Sequence, residues 1–262
     1  MKTYVLVTGA CVNTGAAIVE KFASERKNVI FTGRNAEHVA QAEKRYREKF
    51  PEADIFGRVL DSLNENGEVD EKSVISLFEE LDEKDIFADT LVLNAADLGV
   101  GVTVFESPLK DFKRVIDTNV CWNYLLAEQA ASRMKNRNGG SITFINSNTA
   151  YRAIPDRVAY ETSKGGQLGL MRALAFELGK YNVRVNAVLP GMIRTDRTDK
   201  NPDFYKSVPS AFSPLRSMAE GADIADAVWY FAEHAKFTTG AELVVDGGNS
   251  IQLYPIMPEK KS

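Results

Sequence analysis

A doubly wound α/β domain, with a seven-stranded parallel sheet flanked by helices, is the fold class that three features of the sequence predict. Short β-branched runs alternate with longer amphipathic segments along the chain. The runs are almost continuously apolar, as strands covered by helices on both faces must be. A loop carrying Gly9 and Gly15 follows the first run, where such a sheet presents a tight turn to a ligand. The 262 residues, 44% of them hydrophobic, fit one domain over 1–262, and no linker or charge block divides them.

The first strand is the run Tyr4, Val5, Leu6, Val7, and helical spacing follows over 15–26. Val29 to Thr32 form the second strand, before a helix over 36–50 that Pro51 closes. The third strand covers 54–60. A polar, acidic connection over 64–72 then reads as a solvated loop before a helix over 72–81. The fourth strand spans 90–93 and leads into one long helix over 111–136, ended by Gly139 and Gly140. Strand five (141–146), a helix over 159–180, strand six (184–189, stopped by Pro190 and Gly191), a helix over 222–232 and strand seven (242–245) complete the alternation. The stretch 195–218, with Pro202, Pro209, Pro214 and the aromatics Phe204, Tyr205 and Phe212, has no such periodicity, and long irregular loops of this kind are commonly lids over a binding site.

Composition narrows the function. A net charge of −4 and a pI near 5.4 give no basic footprint for nucleic acid and weaken long-range attraction to anionic membranes, so a small-molecule partner is expected. No apolar run reaches the ~20 residues that span a bilayer. Cys11 and Cys121 are too far apart in sequence for a metal knuckle, and no metal set is visible. A β-run starting at Tyr4 leaves no room for a leader, which implies a reducing, cytoplasmic location.

Tyr160, Lys164 and Ser147 carry the chemistry. A Tyr-x-x-x-Lys pair alone is weak, since composition yields about 0.6 of them by chance; the added serine and the glycine loop make the conjunction specific. On one helix, residues four apart share a face, and an ammonium about 4 Å from the phenol would contribute about 4 kcal/mol at an effective dielectric near 20, roughly three pKa units. The expectation is a phenol brought toward neutrality for proton transfer, with Ser147 at a strand end holding the substrate oxygen.

The loop Thr8, Gly9, Ala10, Cys11, Val12, Asn13, Thr14, Gly15 suits a dinucleotide pyrophosphate at a helix N-terminus. At the end of the second strand, Gly33 stands where an NAD site carries an acid, and Arg34 and Asn35 follow. This points to NADP(H), with NAD(H) a lesser option; a solvated strand-end arginine is the alternative reading. Asp61 could bond an adenine amino group, and Asn94, Ala95 and Ala96 could pass close to the cofactor, although isolated residues of these kinds are often loop caps.

These motifs, in this order, resemble the short-chain dehydrogenase/reductases in their single-domain, Rossmann-like form, from Thr3 to about Gly248. Thr8 to Gly15 is similar to that family's Thr-Gly-x-x-x-Gly-x-Gly loop with Asn13 for the middle glycine, and Asn94-Ala95-Ala96 to its Asn-Ala-Gly segment. The resemblance implies that Asn119 is a catalytic residue positioning a water that connects Lys164 to solvent, and that Lys164 also bonds the nicotinamide ribose. Further, Pro190, Gly191, Ile193 and Thr195 would line the nicotinamide, and the two long helices would build a homodimer or homotetramer. Enoyl-reductase relatives space Tyr and Lys further apart; here Gln167 stands seven residues after Tyr160.

The expected reaction interconverts a ketone and a secondary alcohol: a sugar, a polyol, a steroid or another small carbonyl compound. Asp97, Ser147, Asn148, Tyr160, Phe204 and Phe212 are the candidate substrate contacts. A 3-oxoacyl-carrier-protein reductase is the alternative, with Arg133, Lys135 and Arg137 as a docking patch for an acidic carrier. A non-catalytic dinucleotide sensor is a third, which would be expected to lack part of the catalytic set.

Overall fold

The computed structural model describes residues 2–200, 202 and 211–253 and places seven strands in one parallel sheet. These are β1 (Lys2–Val7), β2 (Asn28–Gly33), β3 (Ile55–Val59), β4 (Ile86–Leu93), β5 (Gly140–Ile145), β6 (Val183–Pro190) and β7 (Glu242–Val245). Their order across the sheet is β3-β2-β1-β4-β5-β6-β7. Because β1 lies between β2 and β4, the winding reverses there, and the crevice at the carboxyl ends of β1 and β4 is where such a sheet receives a ligand.

Side-chain alternation along the strands divides the core into two layers. Tyr4, Leu6 and Ile30 pack against α3 (Glu71–Glu83), α5 (Trp122–Met134) and α6 (Val158–Leu178). Val5, Val7 and Phe31 point the other way, onto α1 (Asn13–Ser24), α2 (Ala36–Lys49) and α8 (Gly221–Trp229). Side chains such as Phe22, Phe31, Phe78 and Phe144 are fully buried, each contributing on the order of 1.5–3 kcal/mol. Two core layers of this kind hold the strand ends still enough to carry a site.

Three expectations about element limits need correction. The helix expected over 111–136 is α4 (Leu109–Ile116), a π-turn (Asp117–Cys121) and then α5. A π-turn of this kind interrupts the regular ladder and is frequent at functional sites; here it contains Asn119. The helix expected over 222–232 likewise ends as α8 at Trp229 and continues as a second π-turn, Tyr230–His234. β4 begins at Ile86, four residues before its apolar run, because Lys2, Thr3 and Tyr4 pair with Ile86, Phe87 and Ala88 ahead of a bulge after Tyr4. Elsewhere the expected limits hold to within two residues.

Candidate active site

The turn after β1 is held by its neighbours. The Gly9 N–H donates to Thr32 Oγ1 at 3.3 Å, and the Ala10 N–H to the Thr32 carbonyl at 2.9 Å. Tyr46 Oη donates to the Ala10 carbonyl at 2.5 Å, and Arg45 to the Cys11 carbonyl at 2.8 Å. Asn94 serves the same turn: its Nδ2 donates to the Thr8 and Gly9 carbonyls at 3.0 and 2.9 Å, while Thr8 Oγ1 accepts the N–H groups of Asn94 and Ala95. Asn94 and Ala95 therefore shape the cradle.

Close approach makes Gly15 obligatory. A Cβ there would lie 2.5 Å from the Gly9 carbonyl oxygen and 2.7 Å from Ala10 Cα, both backbone atoms. Asn13 takes up the left-handed conformation at φ 54°, as the residue in place of a glycine must, and its Oδ1 accepts the Asp196 N–H at 3.1 Å. With Asn13, Thr14 and Gly15 in the first turn of the 12-residue α1, this glycine cradle fits a dinucleotide pyrophosphate.

At the end of β2, Gly33 is buried, and a Cβ on it would meet Cys11 Sγ at 2.4 Å. Cys11 Sγ thus fills the space that a side chain would take at the position that carries an acid in an NAD site. Arg34 lies exposed beside it, whereas Asn35 caps α2 by accepting the His38 N–H at 2.9 Å. Arg45, unremarkable in sequence, is a second cation at this end: its guanidinium stacks 4.8 Å from the Tyr46 ring centroid. Asp61 is exposed and accepts its neighbour Ser62 N–H.

Beyond β5 the site is built from buried polar side chains. Ser147 Oγ accepts from Thr149 N and Thr149 Oγ1 at 3.1 and 2.9 Å, which leaves its own proton to donate toward Tyr160. Lys164 Nζ, 2% exposed, donates to the Ile145 carbonyl at 2.8 Å and to Gln167 Oε1 at 3.1 Å, and stands 5.5 Å from the Tyr160 ring centroid. Asn119 donates to the Asp97 carbonyl and to Ser163 Oγ, and its Oδ1 accepts the Asp97 N–H. The Asn119 main-chain carbonyl in the π-turn accepts from Gln167 Nε2 at 2.6 Å and Asn123 Nδ2 at 2.8 Å. The Gln167 carboxamide thus bridges Lys164 Nζ and the Asn119 carbonyl, the two groups between which the resemblance implied a water.

The electrostatics differ from the expectation that Lys164 lowers the phenol. Burial pushes the Tyr160 hydroxyl up from its ordinary value; the Ser147 hydrogen bond and the charges of Arg157 and Arg197 oppose that shift. Burial also pulls Lys164 down to about 7, so near neutrality its charge is only partly present. The amine faces the Ile145 carbonyl and Gln167 under the ring, and the cations that oppose the shift of the phenol are Arg157 and Arg197.

The remaining site residues divide. The Asp97 carboxylate is taken by Arg114 and the Gly99 N–H, and Asn148 Nδ2 donates to Asn249 Oδ1 at 2.8 Å. Those groups are engaged within the protein, whereas the Ser147 and Tyr160 hydroxyls stay paired with each other past the end of β5. Pro190 ends β6 buried; the Gly191 N–H donates to the Val245 carbonyl at 3.0 Å. Ile193 bridges to Ala219, and Thr195 opens α7 (Asp196–Asp199) with its N–H donated to Thr198 Oγ1. Phe212 is 43% exposed, its carbonyl accepting from Asn249 and Gln252; Phe204, Tyr205 and Pro209 lie outside the described residues. Ala96 follows Ala95 at the cleft, half-buried.

A family model described as enoyl-(acyl carrier protein) reductase matches residues 9–250. A 3α-hydroxysteroid dehydrogenase of Mediterraneibacter gnavus is 32% identical over 243 residues, 92% of this chain and 94% of the relative. A 3-oxoacyl-[acyl-carrier-protein] reductase of Aquifex aeolicus is 30% identical over 248 residues, 93% of this chain and 95% of the relative. The structure of L-sorbose reductase from Gluconobacter frateurii, complexed with NADPH and L-sorbose, matches with a TM-score of 0.87 at 25% identity, over 96% of this chain and 97% of that one.

Proposed function

Since the chain belongs to the short-chain dehydrogenase/reductase family and is an oxidoreductase of that kind, we propose that it interconverts a ketone and a secondary alcohol using NADP(H). Tyr160 is the general acid in reduction and the general base in oxidation, and Ser147 holds the reacting oxygen. Lys164 supplies positive charge beneath the ring and, through its remaining N–H, a contact for the nicotinamide ribose. Asn119 anchors the polar cluster through the π-turn. The observation that carries this reading is the convergence of Ser147, Tyr160 and Lys164 just past the end of β5, two strands from the glycine cradle.

The cradle residues Thr8, Gly9, Cys11, Asn13, Thr14 and Gly15 would hold the pyrophosphate, with Ala95, Ala96, Pro190, Gly191, Ile193 and Thr195 along the nicotinamide. When bound, NADPH supplies the hydride. Preference for NADP(H) over NAD(H) is supported by Gly33, which brings no acid and stands against Cys11, and by the cations Arg34 and Arg45 at the same end.

The activities of the relatives, on a steroid, on sorbose and on an acyl-carrier-bound ketone, support a carbonyl compound as the substrate. The Aquifex relative favours 3-oxoacyl-carrier-protein reduction as a second reading. Against it, Arg133 of the supposed docking patch is already paired with Asp82. A pure sensor is disfavoured by the presence of all four catalytic residues. A small-molecule substrate, a homodimeric or homotetrameric state and a reducing, cytoplasmic location complete the proposal, the last supported by free Cys11 and Cys121; no helix among the described residues is long and apolar enough to cross a membrane.

The test is a panel of ketones, sugars and 3-oxoacyl substrates followed by NADPH absorbance, together with cofactor titrations. NADPH should bind at least about tenfold tighter than NADH, as one well-placed ion pair to a 2′-phosphate provides. Equal dissociation constants would remove the cofactor assignment, and a panel without turnover would remove the activity.

A further inference from the structure

Gln167 lies one helical turn beyond Lys164 on α6, is 1% exposed, and is absent from the reaction described above. Three side-chain hydrogen bonds define its surroundings. Its Oε1 accepts from Lys164 Nζ and from Asn146 Nδ2, each at 3.1 Å, and its Nε2 donates to the Asn119 carbonyl at 2.6 Å. Asn146 is fixed in turn, its Nδ2 also donating to the Lys164 carbonyl at 2.9 Å and its Oδ1 accepting the Ser147 N–H at 2.7 Å.

The orientation of the carboxamide is determined by these partners. A flipped amide would turn its NH2 toward two donors and its oxygen toward a carbonyl, leaving three buried polar contacts unmade. One side chain therefore joins the Lys164 amine, the π-turn and, through Asn146, the Ser147 backbone.

Resting on the assignment of Lys164 to the catalytic set, we propose that Gln167 is a positioning residue whose carbonyl fixes the Lys164 amine and supplies one of the two acceptors that sustain its cationic form. The other acceptor is the Ile145 carbonyl. The groups facing the amine are Tyr160 on its own helix, Ile145 and Asn146 from β5 and its extension, and Asn119 from the π-turn. None of these is a carboxylate, and the Asp97 carboxylate nearby is paired with Arg114. With burial alone pulling the amine down to about 7, the supply of acceptors decides how much charge remains at neutral pH.

An amide also serves differently from a water in this place. It donates and accepts in one fixed direction and does not give up an N–H proton near neutrality. Gln167 thus holds Lys164 without itself passing a proton on to Asn119.

The experiment is a pH titration of the Lys164 13Cε chemical shift in the cofactor-free protein, assigned by difference from Lys164→Arg, for the wild type, Gln167→Met and Gln167→Glu. Methionine keeps the volume and removes the acceptor, so the Lys164 midpoint should fall by about one pH unit, the scale of one charge-assisted hydrogen bond. Glutamate places a carboxylate there, so the midpoint should rise. Midpoints unchanged in both variants, or moved in the same direction, overturn the proposal, since a side chain that only fills space predicts one of those results. If Gln167→Met does not fold, the glutamate arm decides by the same criterion. The readout needs no substrate, so a protein that reduces no carbonyl compound would reject the proposed activity while the titration still judges Gln167.

Discussion

The glycine turn after β1 and the cluster around Lys164 lie at strand ends of one sheet, yet they are made in opposite ways. The turn works by leaving side chains out: Gly15 and Gly33 are places where a single Cβ would strike a backbone atom or Cys11. The cluster works by bringing polar side chains in: Asn119, Asn146, Ser147, Lys164 and Gln167 are all buried, and those groups must satisfy one another. A steric site fails when an atom is added, whereas an electrostatic site fails when a dipole or charge is removed. The two halves should therefore separate cleanly under substitution, cofactor affinity following one and turnover the other.

Tyr160→Phe should produce the largest effect and sharpen that separation. Removing one oxygen from the cluster should reduce turnover by about 10²-fold or more, the usual contribution of general acid/base catalysis, with the NADPH dissociation constant unchanged to within about twofold. Stopped-flow turnover and fluorescence titration measure the two quantities. Retained turnover would place the proton donor elsewhere.

Gly15→Ala is the converse and the next in size. The new methyl would contact the Gly9 carbonyl oxygen and Ala10 Cα, so the turn must open and the backbone N–H groups lose their aim. NADPH should bind about tenfold more weakly, while turnover at saturating NADPH changes by less than about threefold. An unaltered dissociation constant in a variant that melts like the wild type would show that the turn does not contact the cofactor.

The same contrast explains what the sequence disclosed. Steric features leave a local signature: glycine spacing, β-branched runs and Pro51 or Pro190 are read within a few residues, and the strand order follows from their alternation. Even the substitution of Asn13 into the glycine loop was interpretable, because asparagine reaches the positive φ it shows. Electrostatic features depend on distant partners. Nothing near Gln167 in sequence announces that it will meet Asn119, 48 residues away, and nothing near Asn119 marks the π-turn that frees its carbonyl. Four-residue spacing correctly placed Lys164 beneath the Tyr160 ring, but could not reveal that burial would weaken the ammonium and that Arg157 and Arg197 would also act on the phenol.

Those arginines give the smallest effect and the most direct check on the electrostatic half. Arg197, exposed on α7, lowers the Tyr160 phenol through space, against a burial that raises it. In oxidation Tyr160 must be deprotonated to accept the alcohol proton, so the rate rises with pH through the phenol's titration. Arg197→Gln removes a stabilising cation from the phenolate, so this limb should move to higher pH. Because the guanidinium is exposed and screened, the displacement should be about half a unit or less, which is at most about a threefold loss at a fixed pH below the limb. The pH dependence of kcat/KM, measured at low ionic strength and again at about 1 M salt, provides the test. The wild-type and variant profiles should differ at low salt and converge at high salt, where the Debye length is about 3 Å. A limb that moves to lower pH, or a difference indifferent to salt, would show that Arg197 acts on the site by contact or packing and that the phenol is tuned by its buried neighbours alone.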